Sequence, residues 1–196
     1  MTRTTKHRNA MAVVAAGLSL AALTGCGTNS TAAPPPSSAA QLTPPTNPPT
    51  PAQIAEQQVT PMVQNFTQVI NSVFSNPNQN LAVIDTVATG NADASLRDQV
   101  RQIVDKKLTV KSASRVVSVR VSDYKPNASP VTATARVCTD ASGSTATRAD
   151  GQSDVDPQRL PQSLAVLTLT NATPNDPAGW RVAEATYDTH QACDAA

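Results

Sequence analysis

The sequence predicts one α+β domain in which N-terminal helices pack on an antiparallel sheet. Between residues 59 and 104, apolar side chains recur at steps of three and four, which is the period of an amphipathic helix. From about Leu108 they recur at every second position, which is the period of a strand. Helices followed by a run of strands are typical of α+β domains rather than of alternating α/β folds.

The first predicted helix starts at a capping box. Thr50-Pro51-Ala52-Gln53 combines an N-cap hydroxyl, a proline at the first helical position and a glutamine three residues after the cap. The apolar stripe behind it consists of Val59, Met62, Val63, Phe66, Val69, Ile70, Val73 and Phe74. Pro61 lies inside this stripe, so we expect either a kink there or a second helix capped by Thr60.

Two shorter helices are expected next. Asn76-Pro77 can begin one of them, which would end at Gly90. Asp93 is predicted to cap the other. Apolar and charged residues alternate behind Asp93 in the pattern of a half-exposed helix.

Strands are predicted for the rest of the chain. They cover residues 117–121, 131–137, 144–148, 164–169 and 180–187. Val117, Val119 and Val121 are expected to share one face of the first strand. The turn at 140–143 should return the chain so that 144–148 pairs with the preceding strand.

The order of these elements resembles the nuclear-transport-factor-two-like cone, also called the cystatin-like fold, over roughly residues 53–190. The strand Gly179-Trp180-Arg181-Val182 looks like the closing strand of actinobacterial exported members of that group. The resemblance implies a strongly bent sheet around a cone. Its enzymes place Asp or His inside the cone, but no central histidine is present here. Trp180, Glu184 and Asp188 are expected on one strand face, which makes Trp180 and Glu184 the candidate cavity residues, with Glu184 as acid or base.

No other group of residues predicts catalysis, and we expect no catalytic residue, metal or cofactor. Only His190 would remain after loss of the first 25 residues. It could activate a Ser or Cys nucleophile with Asp188 as its partner, but a solvated histidine near the chain end is the simpler interpretation. Asp150, Asp154 and Asp156 could offer oxygens to calcium, yet their spacing fits no EF-hand loop.

The first 26 residues predict export. Arg3, Lys6 and Arg8 precede an uncharged stretch at 10–23 that is shorter than the roughly 20 residues of a membrane-spanning helix. Leu23-Thr24-Gly25-Cys26 resembles the lipobox of bacterial prolipoproteins. The resemblance implies a lipid on Cys26, removal of residues 1–25 and a place on the outer face of the bacterial cell membrane. A permanent transmembrane anchor and an ordinary cleaved signal are the alternatives.

Residues 26–51 are expected to be a disordered tether between the lipidated cysteine and a domain at 52–196. Eight of the sixteen prolines fall between Pro34 and Pro51, and such a composition cannot bury enough apolar surface to fold. The bias toward Ala, Thr, Val and Pro suggests an actinobacterial source.

The two remaining cysteines form an even pair. With Cys26 lipidated, a disulfide between Cys138 and Cys193 is the economical interpretation in an exported protein. Two unpaired thiols are the alternative.

Charge excludes one class of partner and suggests another. The chain without residues 1–25 would carry twelve basic and fourteen acidic residues, so nucleic acid is not expected as a partner. One stretch is nevertheless basic, because Asp98 and Asp105 are the only acidic residues between its first and last cation. This candidate docking face for an envelope protein or anionic lipid consists of Arg97, Arg101, Lys106, Lys107, Lys111, Arg115 and Arg120. A solvated surface is the alternative.

The sequence therefore favours a lipid-anchored envelope protein whose domain is a non-catalytic binding or scaffolding module. An enzyme using the cone cavity, and a lipid or glycolipid carrier, are the alternatives. A cavity filled by Val, Leu and Ala would favour scaffolding, a deep pocket with an acid would favour an enzyme, and a continuous apolar cavity would favour a carrier.

Overall fold

Helices form the first half of the domain and an antiparallel sheet the second, as the sequence predicts. The computed structural model describes residues 48–174 and 176–193. Its helices are α1 (Pro51–Ser75) and α2 (Gly90–Asp105), with short 3₁₀ helices at Leu81–Thr86 and Pro177–Gly179. Its strands are β1 (Thr109–Lys111), β2 (Arg115–Lys125), β3 (Val131–Asp140), β4 (Thr145–Thr147), β5 (Gln162–Asn171) and β6 (Trp180–Asp188).

The capping box forms at the start of α1. The Thr50 hydroxyl accepts from the Gln53 N–H, and the Gln53 side chain accepts from the Thr50 N–H at 2.8 Å. Pro61 lies inside α1, which runs on as one helix to Ser75, so no second helix capped by Thr60 forms. The buried face of α1 supplies much of the core.

The predictions for the next two helices are wrong in detail. Residues 81–86 form only a 3₁₀ helix, and Gly90 begins α2 instead of ending its predecessor. Asp93 lies in the first turn of α2, where it pairs with Arg97 rather than capping the helix. The carboxylate still lies near the positive end of the helix dipole, where negative charge is favourable.

Lys107 follows the C-cap of α2 and adopts the left-handed backbone conformation, at φ 53°. Its N–H donates to the Val104 carbonyl, and the Leu108 N–H donates to the Ile103 carbonyl. These two bonds are those of a Schellman motif, which satisfies carbonyls that the helix end leaves unpaired.

The main sheet has four antiparallel strands in the order β2-β3-β5-β6, and a separate ribbon pairs β1 with β4. The strand at 144–148 was expected to pair with β3, but β4 pairs with β1 because β3 already lies between β2 and β5. α1 packs against β2, and α2 against β6. We call the face that meets α1 the inner face of the sheet.

The first of two β-bulges in β2 separates Val117 from the predicted face, while Val119 and Val121 share one face as expected. Val116 pairs with Thr139 and Ser118 with Cys138, so Val117 is an extra residue in the ladder. An extra residue reverses the alternation of side chains. Val119 is consequently buried while Val117 is 49% exposed.

The structure contains the predicted disulfide between Cys138 and Cys193, whose Cα atoms lie 5.3 Å apart. Cys138 is buried in β3, and Cys193 comes after the end of β6. The bridge fastens the tail of the domain to the centre of the sheet.

Candidate functional site

A half-enclosed cavity of about 380 Å³ lies between the inner face of the sheet and the helices. Its wall is mostly apolar. One side is the stripe of α1 with Val63, Phe66, Ile70 and Phe74, and Leu96 of α2 adds to it. Ribbon residues of β1 and β4 and the segment between β4 and β5 complete the lining. This volume is within the range of ligand pockets, about 300–1,000 Å³.

The residues with which β3, β5 and β6 line the cavity change from apolar to polar along the strands. Val137, Ala165 and Tyr187 lie side by side across the three strands and line the cavity. Two pairs further in the ladder, at Thr139 and Ser163, the lining becomes polar. The cavity therefore has an apolar interior and a hydroxyl-rich end beyond this row.

Arg159 lies at the hydroxyl-rich end. Its Nη2 donates to the carbonyls of Ala141 and Ser144, both at 3.2 Å, which fixes the guanidinium at the turn after β3. The neighbouring Leu160 N–H donates to the carbonyl of Thr189, another lining residue. Among the described residues, Arg159 is the one charged side chain that lines the cavity.

Tyr187 is the aromatic residue that β6 contributes to the lining. Tyr187 is 46% exposed, yet burial by the surrounding protein raises the pKa of its phenol above the ordinary value. The two observations are compatible because Tyr187 lines a half-enclosed cavity, where nearby protein can desolvate a group that is still reached by solvent. The phenol is therefore neutral near pH 7.

The predicted cavity residues Trp180 and Glu184 do not line this cavity. Val182 pairs with Leu169 and Glu184 with Thr168, which leaves Ala183 as a bulge in β6. Trp180 precedes the bulge and lies in the core, where it is 1% exposed, whereas the bulge turns Glu184 to the outside. Glu184 there accepts a hydrogen bond from the Asn91 side chain at 3.3 Å.

Asp188 does not orient the ring of His190. The ring Nε2 lies 3.0 Å from a carboxylate oxygen of Asp156, whereas Asp188 accepts from the backbone N–H of His190. The pKa of Asp156 is lowered first by the Gln158 N–H and then by His190 and Arg159. The pair joins the tail to the segment between β4 and β5.

All four arginines of the candidate docking face are in ion pairs. The pairs are Arg97 with Asp85 and Asp93, Arg101 with Asp98, Arg115 with Asp140, and Arg120 with Glu56. Lys106, Lys107 and Lys111 are exposed and have no ion pair with a described residue. The positive field of this surface is therefore weaker than the linear sequence suggests, because carboxylates from distant segments neutralise it.

Asp140 is buried beside Arg115. The hydroxyl and N–H of Ser142 and the Arg115 guanidinium hold the pKa of this carboxyl well below its ordinary value of 3.8. Its role is to hold the turn after β3, since Ser142 and Arg115 lie on either side of it.

Within residues 48–174 and 176–193, no group of His, Cys, Asp and Glu could hold a metal ion, and no helix has the length and apolar content needed to cross a membrane. Asp150 and Asp154 instead bind the Gln152 N–H and Arg148. A second, more open groove of about 550 Å³ lies between the first half of α1 and residues near 177–181. Cys26, its lipobox and most of the predicted tether lie outside the described residues.

No protein-family model and no curated protein matches the chain. Among solved structures, it is similar to the intermembrane space region of the chloroplast protein ARC6, with a TM-score of 0.47 and 12% identity, over 72% of this chain and 99% of that one. It is also similar to a de novo β-sheet design solved by NMR, with a TM-score of 0.32 and 12% identity, over 70% of this chain and 92% of that one. Likenesses of this degree assign no function, and the cystatin-like cone stays a prediction.

Proposed function

We propose that this chain is a lipid-anchored protein of the bacterial cell envelope whose domain is a non-catalytic module that binds an apolar small molecule. The observation that carries the proposal is the cavity of about 380 Å³ with its mostly apolar wall. Protein interiors are otherwise packed without voids larger than a water molecule, so apolar space of this size is typical of a ligand site. It favours the binding and carrier interpretations over a scaffold with a filled core.

Export and anchoring rest on two features of the chain. The apolar stretch that ends at Cys26 has the order of a lipoprotein signal. The Cys138–Cys193 disulfide is typical of proteins that fold in an oxidising compartment. An anchored binding protein would hold its ligand next to the membrane.

Titration of an apolar probe tests the binding function. The chain from residue 27 onward contains every described residue and a complete core, and it can be titrated with dodecanol by displacement of fluorescent phenylnaphthylamine. We expect saturable binding at one site. Ala165→Leu should weaken it about tenfold or more, because Ala165 is buried on the cavity wall and its replacement enters the free space.

Ala94→Leu is the matched control, since Ala94 is exposed on α2 and lies outside the cavity lining. Both variants should keep the melting temperature of the parent. The proposal is wrong if neither dodecanol nor a charged amphiphile with the same chain binds saturably, or if Ala165→Leu binds dodecanol as tightly as Ala94→Leu does.

A further inference from the structure

We infer that the ligand of this cavity is a single-chain amphiphile with a carboxylate head, held with its head at Arg159 and its chain between the sheet and α1. This inference rests on the proposed function and adds the chemical class of the ligand. It follows from the direction in which the lining changes from apolar to polar.

Polarity changes along the strands. Leu167 and Val137 line the apolar part, and Thr139 and Ser163 lie two pairs beyond Val137 in the ladder, toward the end of β3. An elongated molecule that lies along these strands would meet hydrocarbon at one end and hydroxyl groups at the other. Such a gradient suits an amphiphile better than a molecule that is apolar throughout, because hydrocarbon at the hydroxyl-rich end would displace water without offering hydrogen bonds in return.

The charge at the polar end is positive. Arg159 uses its Nη2 for the carbonyls of Ala141 and Ser144, and among the described residues its Nε and Nη1 have no partner. A guanidinium fixed in this way can donate to a carboxylate with donors that are already oriented. Asp156 is close enough to Arg159 to interact with its charge, but its oxygens are already bound by the Gln158 N–H and by His190. No described carboxylate lines the cavity itself.

The size of the cavity limits the chain. A volume of about 380 Å³ is near the lower end for ligand pockets and suits one medium-length acyl chain rather than a two-chain lipid. Dodecanoate is the corresponding probe. Dodecanol and dodecyltrimethylammonium share its chain and differ in the charge of the head.

The three probes, titrated against the chain from residue 27 onward, test the inference. We expect dodecanoate to bind about tenfold or more tightly than dodecanol, because its carboxylate adds an opposite charge and a second acceptor oxygen for the guanidinium, which a neutral hydroxyl lacks. Dodecyltrimethylammonium should bind most weakly. Equal affinity for dodecanoate and dodecanol would overturn the inference and leave the proposed function standing. Failure of all three to bind would overturn both.

Variants of Arg159 test whether this residue causes the preference for dodecanoate over dodecanol. Arg159→Gln should abolish the preference, so that dodecanoate and dodecanol bind with similar affinity, whereas Arg159→Lys should keep part of the preference because the charge remains. Arg148→Gln is the matched control, since Arg148 precedes β5 in the same segment, pairs with Asp154 and lies outside the lining. An unchanged preference in Arg159→Gln would place the anion site elsewhere and overturn the inference. If Arg159→Gln does not fold, Arg159→Lys replaces it in the test, and a preference for dodecanoate as large as that of the parent would overturn the inference.

Discussion

Removal of the disulfide tests how the domain is held together. We expect the double variant Cys138→Ala, Cys193→Ala to lose about 4 kcal/mol of unfolding free energy. The figure comes from the sequence separation of 55 residues that the bridge closes, with chain entropy of the unfolded state as the cause. For a domain of this length the loss corresponds to a fall of roughly 10 °C in melting temperature.

The assay is thermal and denaturant unfolding with and without a reductant. Reduction should lower the stability of the parent to that of the double variant and should leave the variant unchanged, because alanine cannot re-form the bridge. Alanine at position 138 leaves no buried hydroxyl, which serine would introduce at a site only 2% exposed. The reasoning is refuted if the oxidised parent and the variant are equally stable, or if the parent carries two alkylatable thiols.

Three further predictions concern single residues. Gly179→Ala should lower the unfolding free energy by about 1–3 kcal/mol, because its Cβ would overlap the side-chain oxygens of Thr173 and of buried Asn171. Gly143→Ala should be nearly neutral in the same denaturation assay, since its Cβ would meet the nearest atom at 3.4 Å. Stability should fall as the pH drops below about 4, because a carboxyl whose folded-state pKa is depressed contributes its full stability only above its unfolded pKa. Asp140→Asn should flatten this dependence. A pH dependence of the variant equal to that of the parent would contradict the prediction. Cys26→Ala should release the protein from membranes or leave its precursor unprocessed, and fractionation that finds it processed and still membrane-bound would contradict the lipobox prediction.

Local chemistry made part of the fold predictable. The capping box at Thr50 and Gln53 fixes the start of α1 by hydrogen bonds within four residues, so the sequence alone identifies it. The pairing of Cys138 with Cys193 followed from counting, because only two cysteines remained. Neither inference needed the arrangement of the sheet.

The bulges could not be read from the sequence. Val117, Val119 and Val121 alternate as in a regular strand, but whether the ladder skips a residue depends on the partner strand and on what packs there. The same one-residue shift in β6 moves Glu184 outward and leaves Tyr187 on the cavity wall. Each bulge reverses every assignment that follows it.

The candidate site was missed for a related reason. Arg159 lies in a segment without periodicity, and its place at the cavity depends on contacts with the turn after β3 and with the tail. Its charge was one of several in the sequence, and nothing local distinguished it. In the basic stretch, distant contacts weakened a predicted site instead of forming one. Carboxylates from distant segments, such as Glu56 and Asp140, form ion pairs with arginines that looked unpaired in the sequence.

The most direct test of the cavity as a ligand site is an NMR measurement of intermolecular nuclear Overhauser effects in the complex with dodecanoate. The account predicts contacts from the terminal methyl group of the ligand to Phe66 and Leu167, and from the methylene next to its carboxylate to Thr189. Contacts confined to Pro61 and Met62 would place the ligand in the second groove and contradict the account.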